Sequence, residues 1–230
     1  MVVNRQLIGA AVAALVVVAG LVAASLLLQR DDETAAPTTT DEAPPALFDG
    51  IPQERAVLGS PAANVTLSVF EDFQCPICRQ FVAEGLPEIV EAYVRPGKVK
   101  LRLVGLAFIG PDSEKALFHA LAAGGQGKLW QYADLLYANQ GGENDGWVTD
   151  ELLERISSDL GLDHAKLAAV ADGRAVLQQA NAMATEAEQR EVPGTPWFYV
   201  QVGDAEPYEV RPGSFAIEEF REILDDALDG

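Results

Sequence analysis

Residues 65–78 read VTLSVFEDFQCPIC, and they place a pair of cysteines directly after a short apolar stretch. Val65 to Phe70 is β-branched and apolar, a pattern that predicts a buried strand. The apolar spacing beyond it predicts a helix from about Pro76 to Val94, kinked at Pro87 because proline interrupts helical hydrogen bonding. The cysteine pair therefore lies where a strand ends and a helix begins.

This position of the pair predicts a redox function. A helix N-terminus offers unpaired backbone N–H groups and about half a positive charge, which favour the thiolate form of Cys75. We expect Cys75 to be the exposed nucleophile. Cys78, one turn further along, is expected to resolve a mixed disulfide by attacking the Cys75 sulfur. Pro76 suits the first helical position, where its missing N–H is not needed.

Two other interpretations of the cysteines stay open. One is a static disulfide or two ordinary buried thiols, although a disulfide closing so short a loop adds little stability. The other is a zinc site, which only His119 and His164 could complete, and these lack the histidine spacing of closed zinc sites. We therefore expect neither a metal nor an organic cofactor.

The rest of the chain predicts an α/β domain that a helical block interrupts. Lys98 to Val104 alternates strictly and predicts a second strand, parallel to the first. Residues 110–190 have the apolar spacing of helices. Beyond them, Trp197 to Val202 and Tyr208 to Val210 predict a hairpin, and Ser214 is expected to cap a terminal helix.

These elements set the predicted domain boundaries. The α/β domain takes residues 61–109 and 191–230, and the helical insertion takes residues 110–190. Residues 29–60 are polar and rich in proline, threonine and acidic residues, a composition typical of a flexible linker. Within that linker, Phe48 to Leu58 is expected to pack on the domain.

The N-terminal segment predicts export. Residues 7–28 carry no charge and at ~1.5 Å per residue can cross a ~30 Å hydrocarbon core, so we predict a transmembrane anchor after a short cytoplasmic N-terminus, residues 1–6. Arg5 precedes the segment and acidic residues follow Arg30, which favours a single-pass protein of the cell membrane with an extracytoplasmic catalytic domain. A signal peptide cleaved before Ser25 is the alternative, and it also exports the domain.

Composition excludes two classes of protein. The chain carries 16 basic and 35 acidic residues, a net charge of −19, so its surface repels polyanions and no nucleic-acid partner is expected. Two cysteines in 230 residues are too few for a small scaffold held together by disulfides.

A second motif, VPGTP at residues 192–196, stands immediately before the predicted strand at Trp197. A proline after Thr195 at a strand entrance is compatible with a cis peptide bond that leaves the Thr195 backbone unpaired. Unpaired backbone beside a reactive sulfur offers a docking edge to an extended substrate. We therefore expect Thr195 and Pro196 to bind substrate.

With these motifs, the sequence resembles the DsbA family of thioredoxin-fold proteins, in particular its membrane-anchored bacterial branch. The matching stretches are DFQCPIC at 72–78, QGKLW at 126–130 and VPGTP at 192–196, within about residues 60–229. The resemblance implies a thioredoxin fold with a helical insertion domain, plus the N-terminal transmembrane helix.

The resemblance also implies a nucleophilic Cys75, a resolving Cys78 and a cis Thr195–Pro196 bond that faces them. We expect Pro76, Ile77 and Glu71 to support this site. The resemblance implies disulfide exchange with unfolded exported proteins that contain cysteines. It distinguishes an oxidase poorly from a reductase or isomerase, and our first hypothesis is that exchange runs in the direction of oxidation. A membrane protein of the DsbB or vitamin K epoxide reductase type would act as reoxidant. A reductase or isomerase of the same fold, and a non-catalytic peptide-binding module, are the alternatives.

One position departs from the family pattern. Many members carry a buried acid six residues before the first cysteine, where this chain has Val69, and that acid helps to move the proton of the resolving thiol. We expect Glu71 or a water to substitute for it. The alternative is that Glu71 and Asp72 are solvated loop acids.

Overall fold

The structure is a computed structural model that describes residues 46–230. The predicted membrane segment at residues 7–28, the N-terminus before it and the predicted linker up to residue 45 lie outside the described residues. Among the helices of residues 46–230, none combines the length and the apolar composition that crossing a bilayer requires.

The central strand of the sheet is β3 (Val65–Asp72), and all eight of its residues are buried. Its parallel neighbour is β4 (Val99–Leu106), with Val65 opposite Val99 and Asp72 opposite Leu106. The predicted parallel pair is thus confirmed. Both strands continue two residues past their predicted ends, which keeps Glu71 and Asp72 inside the sheet.

The connection between these strands is helical from Pro76 to Val94, as predicted, with an irregularity at Gly85, whose N–H still donates to the Phe81 carbonyl oxygen at 2.8 Å. It consists of α1 (Pro76–Glu84), α2 (Leu86–Ile89) and a π-helical turn at Val90–Val94. Gly85 separates the two helices, two residues before Pro87, because Pro87 has no N–H to donate to the carbonyl four residues earlier. Gly85 also lies so close to a neighbouring loop that a Cβ there would stand 2.8 Å from the Phe215 carbonyl oxygen.

The described sheet has six strands in the order β1-β2-β4-β3-β5-β6. The four outer strands are β1 (Gln53–Glu54), β2 (Val57–Leu58), β5 (Trp197–Val202) and β6 (Tyr208–Val210). The last two form the predicted hairpin, and β5 pairs antiparallel with β3.

The domain begins before residue 61, where the sequence placed its start. Strand β2 pairs with β4, and Phe48 and Leu58 are buried, as predicted for the stretch that packs on the domain. Burying these apolar side chains draws the end of the predicted linker into the fold.

The helical insertion consists of α3 (Pro111–Gly124), α4 (Leu129–Ala138), α5 (Asp150–Asp159), α6 (His164–Ala171) and α7 (Arg174–Gln189). The terminal helix is α8 (Ile217–Asp229). Ser214 does not cap α8, contrary to the prediction, because the helix starts two residues later, after Ala216. The Ser214 hydroxyl instead accepts a hydrogen bond from the Ala216 N–H at 3.3 Å.

An aromatic cluster fixes α1 on the sheet. The Phe81 ring on α1 lies 5.0 Å from that of Phe198 on β5 and 5.8 Å from that of Phe220 on α8, measured between ring centroids. All three side chains are buried. This packing holds the N-terminus of α1 against the end of β3, where the cysteines lie.

Candidate active site

The two cysteines differ in access. Cys75 precedes α1 as its N-cap, and Pro76 occupies the first helical position, as predicted. Both cysteines are free thiols. The Cys75 side chain is 7% exposed and that of Cys78 is 0% exposed, so Cys75 is less exposed than expected but is the one that a substrate can reach. Ile77, between them, is about half exposed.

The pKa values of the two thiols are shifted in opposite directions. Hydrogen bonds to the Cys75 sulfur, first from the Cys78 thiol and then from Thr195 and the N–H groups of Ile77 and Cys78, lower its pKa to about 6 against the opposing effect of burial. Burial above all, then the hydrogen bond with Cys75 and the charge of Glu71, raises the pKa of Cys78. The folded dithiol therefore carries a thiolate at Cys75 and a neutral thiol at Cys78 near neutral pH.

The chain crosses the front of the cysteines at Thr195. The Thr195–Pro196 peptide bond is cis, and the Thr195 carbonyl oxygen lies 3.3 Å from the Cys75 sulfur, from which it accepts a hydrogen bond when the thiol is protonated. The Thr195 hydroxyl is buried and has no hydrogen bond of regular geometry within residues 46–230, yet it lies close enough to lower the pKa of both thiols. Thr195 and Pro196 are both partly exposed, so they remain open to a bound chain.

Glu71 is a buried acid beside the cysteines. Its side chain is 1% exposed, and burial raises its pKa to about 8, although the Tyr137 hydroxyl, which donates to Glu71 Oε2 at 3.1 Å, opposes the rise. Glu71 Oε1 accepts no hydrogen bond from the described residues. A cavity of about 10 Å³, close to the volume that one water needs, borders Glu71 and the partly exposed Asp134. The interpretation of Glu71 as a solvated loop acid is wrong.

Asp72 is likewise buried, and it holds three segments together. Its carboxylate accepts hydrogen bonds from the Gln74 N–H at 2.9 Å and the Ser113 hydroxyl at 2.5 Å. It also accepts from the N–H groups of Phe108 at 3.1 Å and Ile109 at 3.2 Å. Asp72 therefore joins the end of β3 to the loop after β4 and to the first turn of α3.

Sequence reasoning missed the contacts that the insertion makes with the cysteine segment. The Gln140 side-chain amide donates to the carbonyl oxygens of Phe73 at 2.7 Å and Cys75 at 3.1 Å. The Asn144 N–H donates to the Gln74 side chain at 2.6 Å. Nothing in the local pattern marks these residues, because they lie in a glycine-rich turn about 65 to 70 positions away.

The histidines lie in other contacts. His119 Nδ1 is 2.8 Å from the Lys115 carbonyl oxygen, and His164 Nδ1 is 3.2 Å from the Ser157 hydroxyl. Within residues 46–230, no group of three or more His, Cys, Asp or Glu side chains is placed to hold a metal ion.

The arrangement is suited to thiol-disulfide exchange. It combines a thiolate at a helix N-terminus, a buried second thiol within reach of it, a protonated acid nearby and a stretch of backbone at which a polypeptide could dock. The structure brings Cys75, Cys78, Thr195 and Glu71 together, with Pro76 and Ile77 in the first helical turn.

Known proteins share this sequence and this fold. The family model described as Thioredoxin matches residues 52–226. A probable disulfide bond formation protein D of Bacillus anthracis is 30% identical over 154 residues, which cover 65% of this chain and 71% of the relative.

Two solved structures have a similar fold. Oxidised BdbD from Bacillus subtilis superimposes with a TM-score of 0.67 at 23% identity, covering 78% of this chain and 98% of that one. Chlamydia trachomatis DsbA superimposes with a TM-score of 0.63 at 20% identity, covering 74% and 90% of the two chains. The chain belongs to the thioredoxin family, and within it to the DsbA-like protein disulfide oxidoreductases.

Proposed function

We propose that the protein is an oxidase, which introduces disulfides into exported proteins through Cys75-Pro76-Ile77-Cys78. The observation that carries the proposal is the low pKa of Cys75, about 6, beside a Cys78 whose pKa is raised. Stabilising the thiolate stabilises the reduced form relative to the disulfide. A disulfide whose reduced form is stabilised is a strong oxidant.

The proposed cycle transfers two electrons from substrate to protein. A substrate thiolate attacks Cys75 of the Cys75–Cys78 disulfide; the bond between the cysteines breaks, and Cys78 leaves with the electron pair and takes up a proton. A second substrate thiolate then attacks the substrate sulfur of the mixed disulfide, and Cys75 leaves as a thiolate. The substrate gains a disulfide and the protein becomes a dithiol.

Glu71 is proposed to supply the proton that Cys78 takes up. It is buried, its pKa of about 8 keeps it protonated at neutral pH, and its charge, when it ionises, raises the pKa of Cys78. The neutral acid can therefore donate as the Cys78 thiolate forms, and the small cavity beside it also borders the partly exposed Asp134. Rates of forming the mixed disulfide, compared between wild type and Glu71→Gln across pH 6 to 8, test this role. Equal rates throughout that range would contradict the role of Glu71 as the proton donor.

The remaining features of the proposal concern partners and location. Thr195 and Pro196 would hold the substrate polypeptide, which is an unfolded exported protein with cysteines. Residues 7–28 would anchor the chain in the cell membrane with the catalytic domain on the extracytoplasmic side. A membrane protein of the DsbB or vitamin K epoxide reductase type would take the two electrons and restore the disulfide.

The reduction potential tests the direction of exchange. Equilibrating the protein with glutathione buffers of known composition gives the fraction of Cys75–Cys78 disulfide. We expect a potential near that of a strong oxidant, about −120 mV. A value near about −270 mV, typical of a thioredoxin, would overturn the oxidase proposal and favour a reductase.

A further inference from the structure

An apolar groove adjoins the proposed exchange site on the side of the helical insertion. It has a volume of about 510 Å³ and lies between α3, α7 and the segment that leads into Thr195. Leu117 and Phe118 on α3 and Leu177 on α7 line it, together with Phe108 in the loop after β4. Phe108 is 60% exposed and Leu177 48% exposed, so the groove presents large apolar side chains to solvent.

The groove borders the chain segment that leads to the cysteines. Its lining ends at Gly194, next to Thr195, whose carbonyl oxygen contacts the Cys75 thiol. An extended chain advances by about 3.3 Å per residue, so a few residues beside a cysteine bound at Cys75 would reach the groove. The loop that carries Phe108 is held in place by its N–H bond to Asp72.

The charge at the groove is of one sign. Glu114, Glu188 and Glu191 line it, and no lysine or arginine does. Within residues 46–230, none of these three carboxylates forms an ion pair or a side-chain hydrogen bond. By contrast Glu186, on the same helix as Glu188, is paired with Arg102 and Arg190. The carboxylates at the groove are thus free to pair with a cation from outside.

We propose that this groove binds the part of the substrate polypeptide that flanks its reactive cysteine, and that it favours an apolar side chain next to lysine or arginine. The inference rests on the proposed function and adds a substrate preference to it. The apolar floor would bury the apolar side chain, and the unpaired carboxylates would attract the cation. The preference comes from this groove and not from the net negative charge of the whole chain.

Peptides with two cysteines test the preference. Three peptides share the same loop between the cysteines and differ only in the flanking pair, Leu-Lys, Leu-Glu or Ser-Lys. The second-order rate at which each reduces the oxidised protein is measured at low and at high salt, and divided by the rate with uncharged dithiothreitol. We expect Leu-Lys to react about tenfold faster than Leu-Glu at low salt and less so in 1 M salt, which screens charges beyond about 3 Å.

Two variants and one control locate the preference. The double variant Glu188→Gln with Glu191→Gln should remove most of the advantage of Leu-Lys over Leu-Glu. Leu177→Ala should reduce the advantage of Leu-Lys over Ser-Lys. Glu222→Gln, which removes an exposed glutamate of α8 outside the groove, should change neither ratio.

The possible results separate this inference from the proposed function. Equal rates for the three peptides, or a charge preference that survives in the double variant, would overturn the proposal that the groove binds the substrate. If Glu222→Gln lost the preference as much as the double variant does, the preference would come from the overall charge of the protein. That result would also overturn the proposed role of the groove. Failure of the oxidised protein to oxidise any of the peptides would overturn the proposed function itself.

Discussion

The thioredoxin-like part of the chain carries the two sulfurs, whereas the helical insertion carries side chains that hold the backbone around them. Cys75, Cys78 and Thr195 belong to the first. Tyr137 and Gln140, which contact Glu71 and the Cys75 carbonyl, belong to the second. The difference indicates that chemistry and positioning are separable, and that variants in the two parts should fail in different ways.

The largest expected effect is on the sulfurs. Cys75→Ser should abolish oxidation of a two-cysteine peptide, because a hydroxyl cannot form the disulfide, while thermal stability of the reduced protein changes little at pH 5, below the range in which the Cys75 thiolate adds stability. Cys78→Ala should instead accumulate a mixed disulfide with an added substrate disulfide, since no second thiol releases it. Mass spectrometry detects that adduct. Full biological activity of Cys75→Ser, without oxidation of the peptide, would favour the peptide-binding module over the enzyme.

The next effect is the pH dependence of stability, which Glu71 should control. The folded state keeps this acid protonated up to pH about 8, whereas the unfolded chain ionises it near 4.5, so the free energy of unfolding of wild type should fall as the pH rises between these values. The decrease between pH 5 and 8 is on the order of a few kcal/mol. Glu71→Gln should remove it and be the more stable protein at pH 8, as urea unfolding would measure.

This comparison should be made on oxidised protein, in which burial, the largest cause of the raised Glu71 pKa, remains, while the smaller effect of the Cys75 charge is absent. The pKa of Cys75 is lowered in the fold, to about 6 from 9.0, so a reduced protein gains stability as the pH rises between these values and would mask the effect of Glu71. Tyr137→Phe gives a matched test from the insertion. Removing its hydroxyl should raise the Glu71 pKa further above 8, because that hydrogen bond lowers it. Parallel stability curves for wild type and Glu71→Gln would contradict the assignment.

A smaller loss is expected at the junction of the two parts. Asp72→Asn keeps the shape of the side chain but turns an NH₂ group toward donors that now bond to the carboxylate, among them the N–H groups of Phe108 and Ile109. Losing these buried charged hydrogen bonds should cost about 2–3 kcal/mol in unfolding free energy. Hydrogen exchange at residues 108 and 109 should accelerate more than exchange in β3. Unchanged exchange at these two amides would show that Asp72 does not hold the loop.

The sequence predicted the parts of the site that local pattern determines. The strand before Cys75, the helix after it and the cis bond between Thr195 and Pro196 were each expected from motifs of residues adjacent in the chain. The structure contains all three. Burial of Glu71 and Asp72 could not be read in this way. Two acids after an apolar run resemble a loop, and they are buried because β3 continues beside β4 as far as Leu106.

The helical insertion gives a second example of contacts that the sequence does not predict. Its apolar spacing predicted helices, since each helix needs an apolar face, but spacing does not say which polar side chain faces the site. Ser113 lies 41 positions from Asp72, and Tyr137 lies 66 positions from Glu71. Such contacts depend on how the insertion folds back on the sheet, which only the three-dimensional structure reveals.

The smallest effect should come from Gln140. It tests whether the insertion influences the pKa of Cys75 or only stabilises the backbone around it. Gln140→Ala removes two hydrogen bonds to the Phe73 and Cys75 carbonyl oxygens and should cost about 1 kcal/mol in stability. The freed first turn should also weaken the N–H contacts to the Cys75 sulfur and raise its pKa from about 6 toward the usual value, measured by the pH dependence of alkylation. Gln178→Ala, an exposed change on α7, is the control and should leave the pKa alone. If Gln140→Ala lost stability but left the Cys75 pKa unchanged, Gln140 would stabilise the backbone without influencing the reactivity of Cys75.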